Sequence, residues 1–185
     1  GMVIFITAAN GANNFVQAKS RVAPLKESSR KSSAKSRAQG RTIPELELTA
    51  LTEAVETVPY FAQLFKHVPI YAWSDSEITL KRIRKELNKG GAYVENRVAR
   101  IHSVCQKHDV NFRKIGSKEN PADDYSRPLT VEEFMEKKSF ECNLNLLELA
   151  EVAEAYQVPK YDVIAAVSAR PPGSTSKADG KRTQQ

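Results

Sequence analysis

Val68-Pro69-Ile70-Tyr71-Ala72-Trp73 runs directly into Ser74-Asp75-Ser76-Glu77-Ile78, and this junction decides the fold class. The apolar run has the length of a buried strand. Ser74, Asp75 and Ser76 are good helix N-caps, and Ile78, Ile83 and Leu87 then mark the apolar side of the helix they would start. A strand feeding a helix without a long connection is the repeating unit of an α/β sheet.

The flanking segments extend that pattern. Upstream, Thr42-Ile43-Pro44 places a proline in a first helical turn, and Leu48, Leu51, Val55 and Val58 recur on one side until Pro59 ends or bends the helix. Further upstream, Val3 to Thr7 and Phe15-Val16 are β-branched and aromatic around Ala8-Ala9-Asn10-Gly11-Ala12-Asn13-Asn14, which predicts a hairpin. Downstream, Gly90-Gly91 breaks the chain before a helix with Val94, Val98, Ile101 and Cys105 at helical spacing. Asp109 to Ile115 alternates as a strand, with Val110 and Phe112 on one side. Asn120-Pro121 opens a short helix bearing Asp123. The expected order is hairpin, helix, strand, helix, helix, strand, helix, a single mixed α/β sheet flanked by helices.

Three stretches lie outside this pattern. Residues 26–41 carry Lys26, Arg30, Lys31, Lys35, Arg37 and Arg41 among serines, and read as a flexible basic insertion. A tolerated surface loop and a phosphate-binding arm both fit it. Val131 to Phe140 and Leu144 to Tyr156 predict two further helices. The second is acidic, with Glu148, Glu151 and Glu154, and is a candidate protein contact. Residues 171–185 read as a disordered tail.

Composition narrows the function classes. The 185 residues hold 28 Lys and Arg against 22 Asp and Glu, a net charge of +6, which suits a polyanionic partner. No apolar run is long enough to span a bilayer, and Gly1 to Gly11 lacks the features of a signal peptide. Cys105 and Cys142 have neither metal nor redox spacing, so idle thiols in a reducing, intracellular setting are expected, cytoplasmic or nuclear.

Glu47, Asp75 and Asp123 are the candidate chemistry. Taken singly, each fits a structural role at a helix start or cap. Together they sit at strand ends and helix starts around one sheet, where side chains converge in open α/β folds. Carboxylates brought together there repel unless cations lie between them, and Mg²⁺ prefers such oxygen ligands. Two ions so held can activate a water and stabilise a leaving oxygen.

In this order the motifs resemble the ribonuclease H domain of Bel/Pao-type LTR retrotransposon polyproteins. The matching blocks are AKSRVAPLK (18–26), TIPELELTAL (42–51), WSDSEITLKRI (73–83), VENRVARI (94–101) and KENPADDYSRPLTVEEF (118–134). The resemblance implies a ribonuclease H-like domain over 1–134, a helical extension over 135–170 and the tail over 171–185. It implies hydrolysis of the RNA strand of RNA–DNA hybrids by two Mg²⁺ or Mn²⁺ ions held by four acids. Glu47, Asp75 and Asp123 match the second, third and fourth of these, with Asp124 as an alternative to the last. Arg82, Arg84, Lys85 and Lys89 are placed to contact phosphates and equally suit a solvated face.

The departures shape the expectation. The family's first acid lies in an Asp-Ala-Ser motif on the first strand, and no acidic residue precedes Glu27 here. Gly1 to Ile6 resembles the family's second strand, so the first strand and its Asp are expected to be missing. Glu45 stands where the family carries a basic residue. Ser117 and Lys118 occupy a loop where related enzymes often place a histidine, and His67, His102 and His108 read as surface or core residues. An inactive or nearly inactive relative is therefore expected. The alternative is a binding or protein-interaction module retained from a retrotransposon.

Overall fold

Pairing begins at the N-terminal hairpin, where β1 (Met2–Thr7) runs antiparallel to β2 (Asn13–Lys19). Gly11 adopts φ +83° in the turn, a conformation that favours glycine. The Ala8 amide donates to the Ala12 carbonyl at 2.8 Å and closes it. A register shift between Ile4 and Phe5 leaves Val16 unopposed, a β-bulge, and sets Phe5 opposite Phe15 with their rings 6.2 Å apart. The computed structural model describes residues 1–21, 41–85, 91–126, 130–136 and 142–160. Most of the basic insertion, Leu87, Lys89, residues 137–140 and the tail fall outside the described residues.

Helix α1 (Ile43–Val55) starts where Thr42-Ile43-Pro44 placed it. The Thr42 amide donates to Glu45 Oε2 at 2.8 Å and the Thr42 hydroxyl donates to the same oxygen at 3.1 Å. Glu45, at odds with the family pattern, thus secures the helix start. Those bonds hold its carboxyl below the usual range. Leu48, Leu51 and Val55 are buried on one side. The chain bends at Thr57 into α2 (Val58–Leu64), with Pro59 in its first turn.

The remaining elements build a mixed sheet. β3 (Ile70–Ser74) leads into α3 (Glu77–Ile83), α4 (Ala92–Cys105) and then β4 (Val110–Lys114). β3 and β4 are parallel, with Ile70 opposite Val110 and Ser74 opposite Lys114; α3 and α4 supply the crossover that parallel strands need. A 3-10 helix spans Pro121–Ser126, followed by α5 (Val131–Glu136) and α6 (Leu146–Val152). β5 (Ala155–Tyr156) closes the sheet antiparallel to β4, with Tyr156 opposite Phe112. The core joins Leu48, Leu51 and Val55 of α1, Leu80 and Ile83 of α3, Val98, Ile101 and Cys105 of α4, Phe112 and Tyr156.

Four expectations are corrected. Among the described residues the strands form two sheets, β1-β2 and β3-β4-β5, not one. Helix α1 packs on both, but β1 pairs with β2 alone and β3 with β4 alone. For the same reason β3 is half-buried and not fully buried: one edge has no strand against it, and Tyr71 is exposed. Ile78, expected on the apolar side of α3, is exposed, because Thr79, Leu80 and Ile83 turn to the core instead. The acidic helix stops at Val152, since Ala155 and Tyr156 take the free edge of β4 and seat the tyrosine in the core.

The segment before α6 is tied to the hairpin. Asn13 Nδ2 donates to the carbonyls of Cys142, at 2.9 Å, and Leu144, at 2.6 Å. Asn145 caps α6 by accepting from the Glu148 amide at 3.3 Å.

Candidate functional site

The three motif carboxylates occupy three elements. Glu47 lies one turn into α1, Asp75 between β3 and α3, and Asp123 in the 3-10 helix, each half-buried. The local reasons differ. Ser76 caps α3, its hydroxyl oxygen accepting from the Thr79 amide at 3.3 Å, and the Ser74 hydroxyl oxygen accepts from the Ser76 amide at 3.2 Å. Asp75, between two serines that do the capping, keeps its carboxylate out of that network. Asn120 organises the 3-10 helix. Its side-chain oxygen accepts from the Ala122 amide at 3.1 Å and its carbonyl from the Asp123 amide at 3.1 Å.

Helix α1 packs against β3 and α3, so Glu47 and Asp75 belong to elements in contact. The 3-10 helix packs instead on the hairpin, where Tyr125 stacks on Phe15 with ring centroids 6.0 Å apart. Among the described residues no group of three or more His, Cys, Asp or Glu side chains is placed to hold a metal ion. The Glu47 and Asp75 carboxylates form no hydrogen bond or ion pair among the described residues. Oxygen donors of the right chemistry are present on separate elements, and no three of them form a metal cage.

The nearby carboxylate Glu77 is structural. It pairs with Lys81 and, at 3.0 Å, with Lys114 of β4, and these two ammonium groups pull its pKa down to about 2. This bridge fixes the first turn of α3 to the end of β4, beside Asp75.

The histidines take the places expected for surface and core. His102 is buried, with Nε2 2.8 Å from the Ile83 carbonyl, and burial pushes its pKa below the ordinary value despite that bond. His67 is exposed with φ 66° and His108 half-buried.

Arg82 and Arg84 contact different elements. Arg82 turns towards the start of α1, Nη1 donating to the Pro44 carbonyl at 3.4 Å. Arg84 leans towards the Tyr156 ring at 5.5 Å, and Lys85 is exposed. A denser basic cluster lies elsewhere, on the side of α1 that faces α4. Arg97 lies 3.3 Å over the Tyr93 ring and Arg41 lies 3.5 Å from the same centroid. The Tyr93-x-x-x-Arg97 spacing on one helix was the available signal for this contact. Comparison with protein families, with curated proteins and with solved structures found no match.

Proposed function

We propose that this chain is a ribonuclease H-like domain of Bel/Pao-type retrotransposon origin that engages nucleic acid, RNA–DNA hybrid foremost, and cuts it weakly or not at all. The carrying observation is the disposition of the motif carboxylates. Glu47 and Asp75 sit on packed neighbours, α1 and the β3–α3 junction, while Asp123 sits on the hairpin side. That supports descent from a carboxylate site, because the described residues of the later blocks fall on α1, the β3–α3 junction, α4 and the 3-10 helix in the expected order. It also supports impaired chemistry, because no three acids assemble among the described residues. A two-ion mechanism concentrates its charge stabilisation in the metals, so acids that stand apart would lose on the order of a thousandfold in rate. No catalytic step is assigned to Mg²⁺ or Mn²⁺ on this arrangement.

The net charge of +6 favours a polyanion. The test is fluorescence anisotropy of a labelled RNA–DNA hybrid across a salt series. Binding whose logarithm falls linearly with the logarithm of salt is expected, since phosphate contacts release counterions. Absence of binding at low salt would overturn the nucleic-acid reading.

A second reading, a protein-interaction module, is favoured by apolar groups left on the surface. Leu147 and Val152 of α6 are exposed among Glu148 and Glu151, and Tyr60, Leu64, Phe65 and Val68 are exposed on and after α2. Among the described residues no helix is long and apolar enough to cross a membrane.

A further inference from the structure

A basin of about 350 Å³ opens between the end of β2, the outer side of α1 and α4. Lys19 and Arg21 reach it from the β2 end, Arg97 and Arg100 from α4, and Glu53 and Glu56 from α1. Four cations against two acids leave an excess of two positive charges in one concavity.

The two acids are already engaged. Glu53 gives Oε2 to Lys19 at 2.9 Å and Oε1 to Arg21 at 3.0 Å. Glu56 takes the Arg100 fork through both of its oxygens. These pairs hold three flexible cationic heads around the basin, and a further anion would meet them already oriented.

Arg97 is different. Its Nε donates to the Thr49 hydroxyl at 2.9 Å and its Nη1 to the Tyr93 carbonyl at 3.2 Å. Its carbon lies so close over Tyr93 that Arg41, equally near the centroid, must occupy the opposite side of the ring. Among the described residues no carboxylate forms an ion pair with Arg97; Glu45, the acid nearest in influence, accepts from Thr42. Burial first, then the repulsion of Arg41 and Arg100, lowers the Arg97 pKa. A half-buried guanidinium, locked by stacking and by the bonds from Nε and Nη1, keeps Nη2 and one N–H of Nη1 for the oxygens of an anion.

We propose that this basin is a phosphate-binding site, with the anion seated on Arg97 and flanked by Lys19, Arg21 and Arg100. A carboxylate would leave the flanking charge unmet; a phosphate brings more charge and a third or fourth oxygen to share among cations from separate elements. The site stands on this geometry alone. Only the carrier, a nucleic-acid backbone rather than free phosphate, rests on the nucleic-acid reading above.

The experiment is ¹H–¹⁵N NMR of the 185-residue protein, following the arginine Nε–Hε resonances. Inorganic phosphate is titrated first, then a single-stranded oligodeoxynucleotide without a terminal phosphate. Saturable shifts at Arg97 and Arg100 with both ligands support the site and its carrier. Shifts with phosphate but none with the oligonucleotide support the site and refute the carrier. No saturable shift at Arg97 with either ligand overturns the site, even if the oligonucleotide binds elsewhere through Arg84 and Lys85. Arg97→Lys keeps the charge but loses the fork, and should weaken phosphate binding about tenfold. Arg21→Ala removes an exposed side chain that contributes nothing to the core, and should weaken it several-fold with an unchanged circular dichroism spectrum. Wild-type affinity in both variants would overturn the site as well.

Discussion

Replacing Tyr156 by Ala should strongly destabilise the protein, although Tyr156 lies far beyond the last motif block. The side chain is 2% exposed, stands opposite Phe112 in the β4–β5 ladder and packs in one cluster with Leu48, Leu80 and Ile101. A buried tyrosine removes about 150–250 Å² from water, and at about 25 cal/mol/Å² that corresponds to about 4–6 kcal/mol as an upper bound. Aromatic-to-alanine changes in cores cost about 3–5 kcal/mol, so about 4 kcal/mol is expected. Domains of this size are commonly stable by about 5–15 kcal/mol, so the variant gives up between about a quarter and most of that stability.

Tyr156→Phe separates packing from polarity. The hydroxyl is buried with no hydrogen-bond partner among the described residues. Its removal should be neutral or stabilising by about 1 kcal/mol, because a buried unpaired hydroxyl carries an uncompensated desolvation cost. Urea unfolding followed by the fluorescence of Trp73, the single tryptophan, reads both changes from β3, on the far side of β4. A loss under about 1 kcal/mol in Tyr156→Ala would refute the placement of β5 in the common core.

Further expectations concern pH, thiols and the hairpin turn. The pKa of His102 is lowered in the fold, so its contribution is intact above the unfolded value near 6.5 and is lost as pH falls below it. His102→Gln should flatten stability against pH in that window. Glu77 is lowered from 4.5 to about 2, so its contribution is present above about pH 4.5 and disappears as pH falls towards 2; Glu77→Gln should flatten that separate, lower window. Melting temperatures from pH 8 to 3 check both, and a single merged transition unaffected by either variant would contradict the assignments. Cys105 is buried with its pKa pushed up to about 11 whereas Cys142 is half-buried, so a maleimide at neutral pH should label Cys142 quickly and Cys105 at the rate of unfolding. Equal rates by mass spectrometry would refute that. Gly11→Ala strains the φ +83° turn and brings a Cβ to 3.2 Å from Asn145 Oδ1, so it should cost about 1–2 kcal/mol in the same urea assay.

The helices were legible because their burial follows a simple period. Leu48, Leu51, Val55 and Val58, and likewise Val98, Ile101 and Cys105, are buried as their spacing implied. Glu45 was legible too, through the Thr-x-x-Glu spacing of a capping box. Ile78 misled, since three core-facing residues on so short a helix leave no room for a fourth. The division of the strands into two sheets was not legible: strand propensity describes a segment, whereas pairing depends on which edges meet. β5 was hidden for the same reason, as Leu144 to Tyr156 carries a strong helical pattern until the free edge of β4 captures its last residues. Of the candidate site, sequence order suggested that Glu47, Asp75 and Asp123 share a location, but which side of the sheet receives the 3-10 helix depends on contacts such as Phe15 with Tyr125. The α1–α4 basin escaped because Lys19, Arg21, Arg97 and Arg100 come together only in three dimensions.

The proposed impairment of hybrid cleavage is tested with a labelled RNA–DNA hybrid and purified protein, in Mg²⁺ and in Mn²⁺, beside Asp75→Asn. Hybrid should be bound, with any cutting slow and no different in the variant. Brisk RNA-strand cleavage that Asp75→Asn abolishes would contradict it, because the carboxylates would then assemble into a working site.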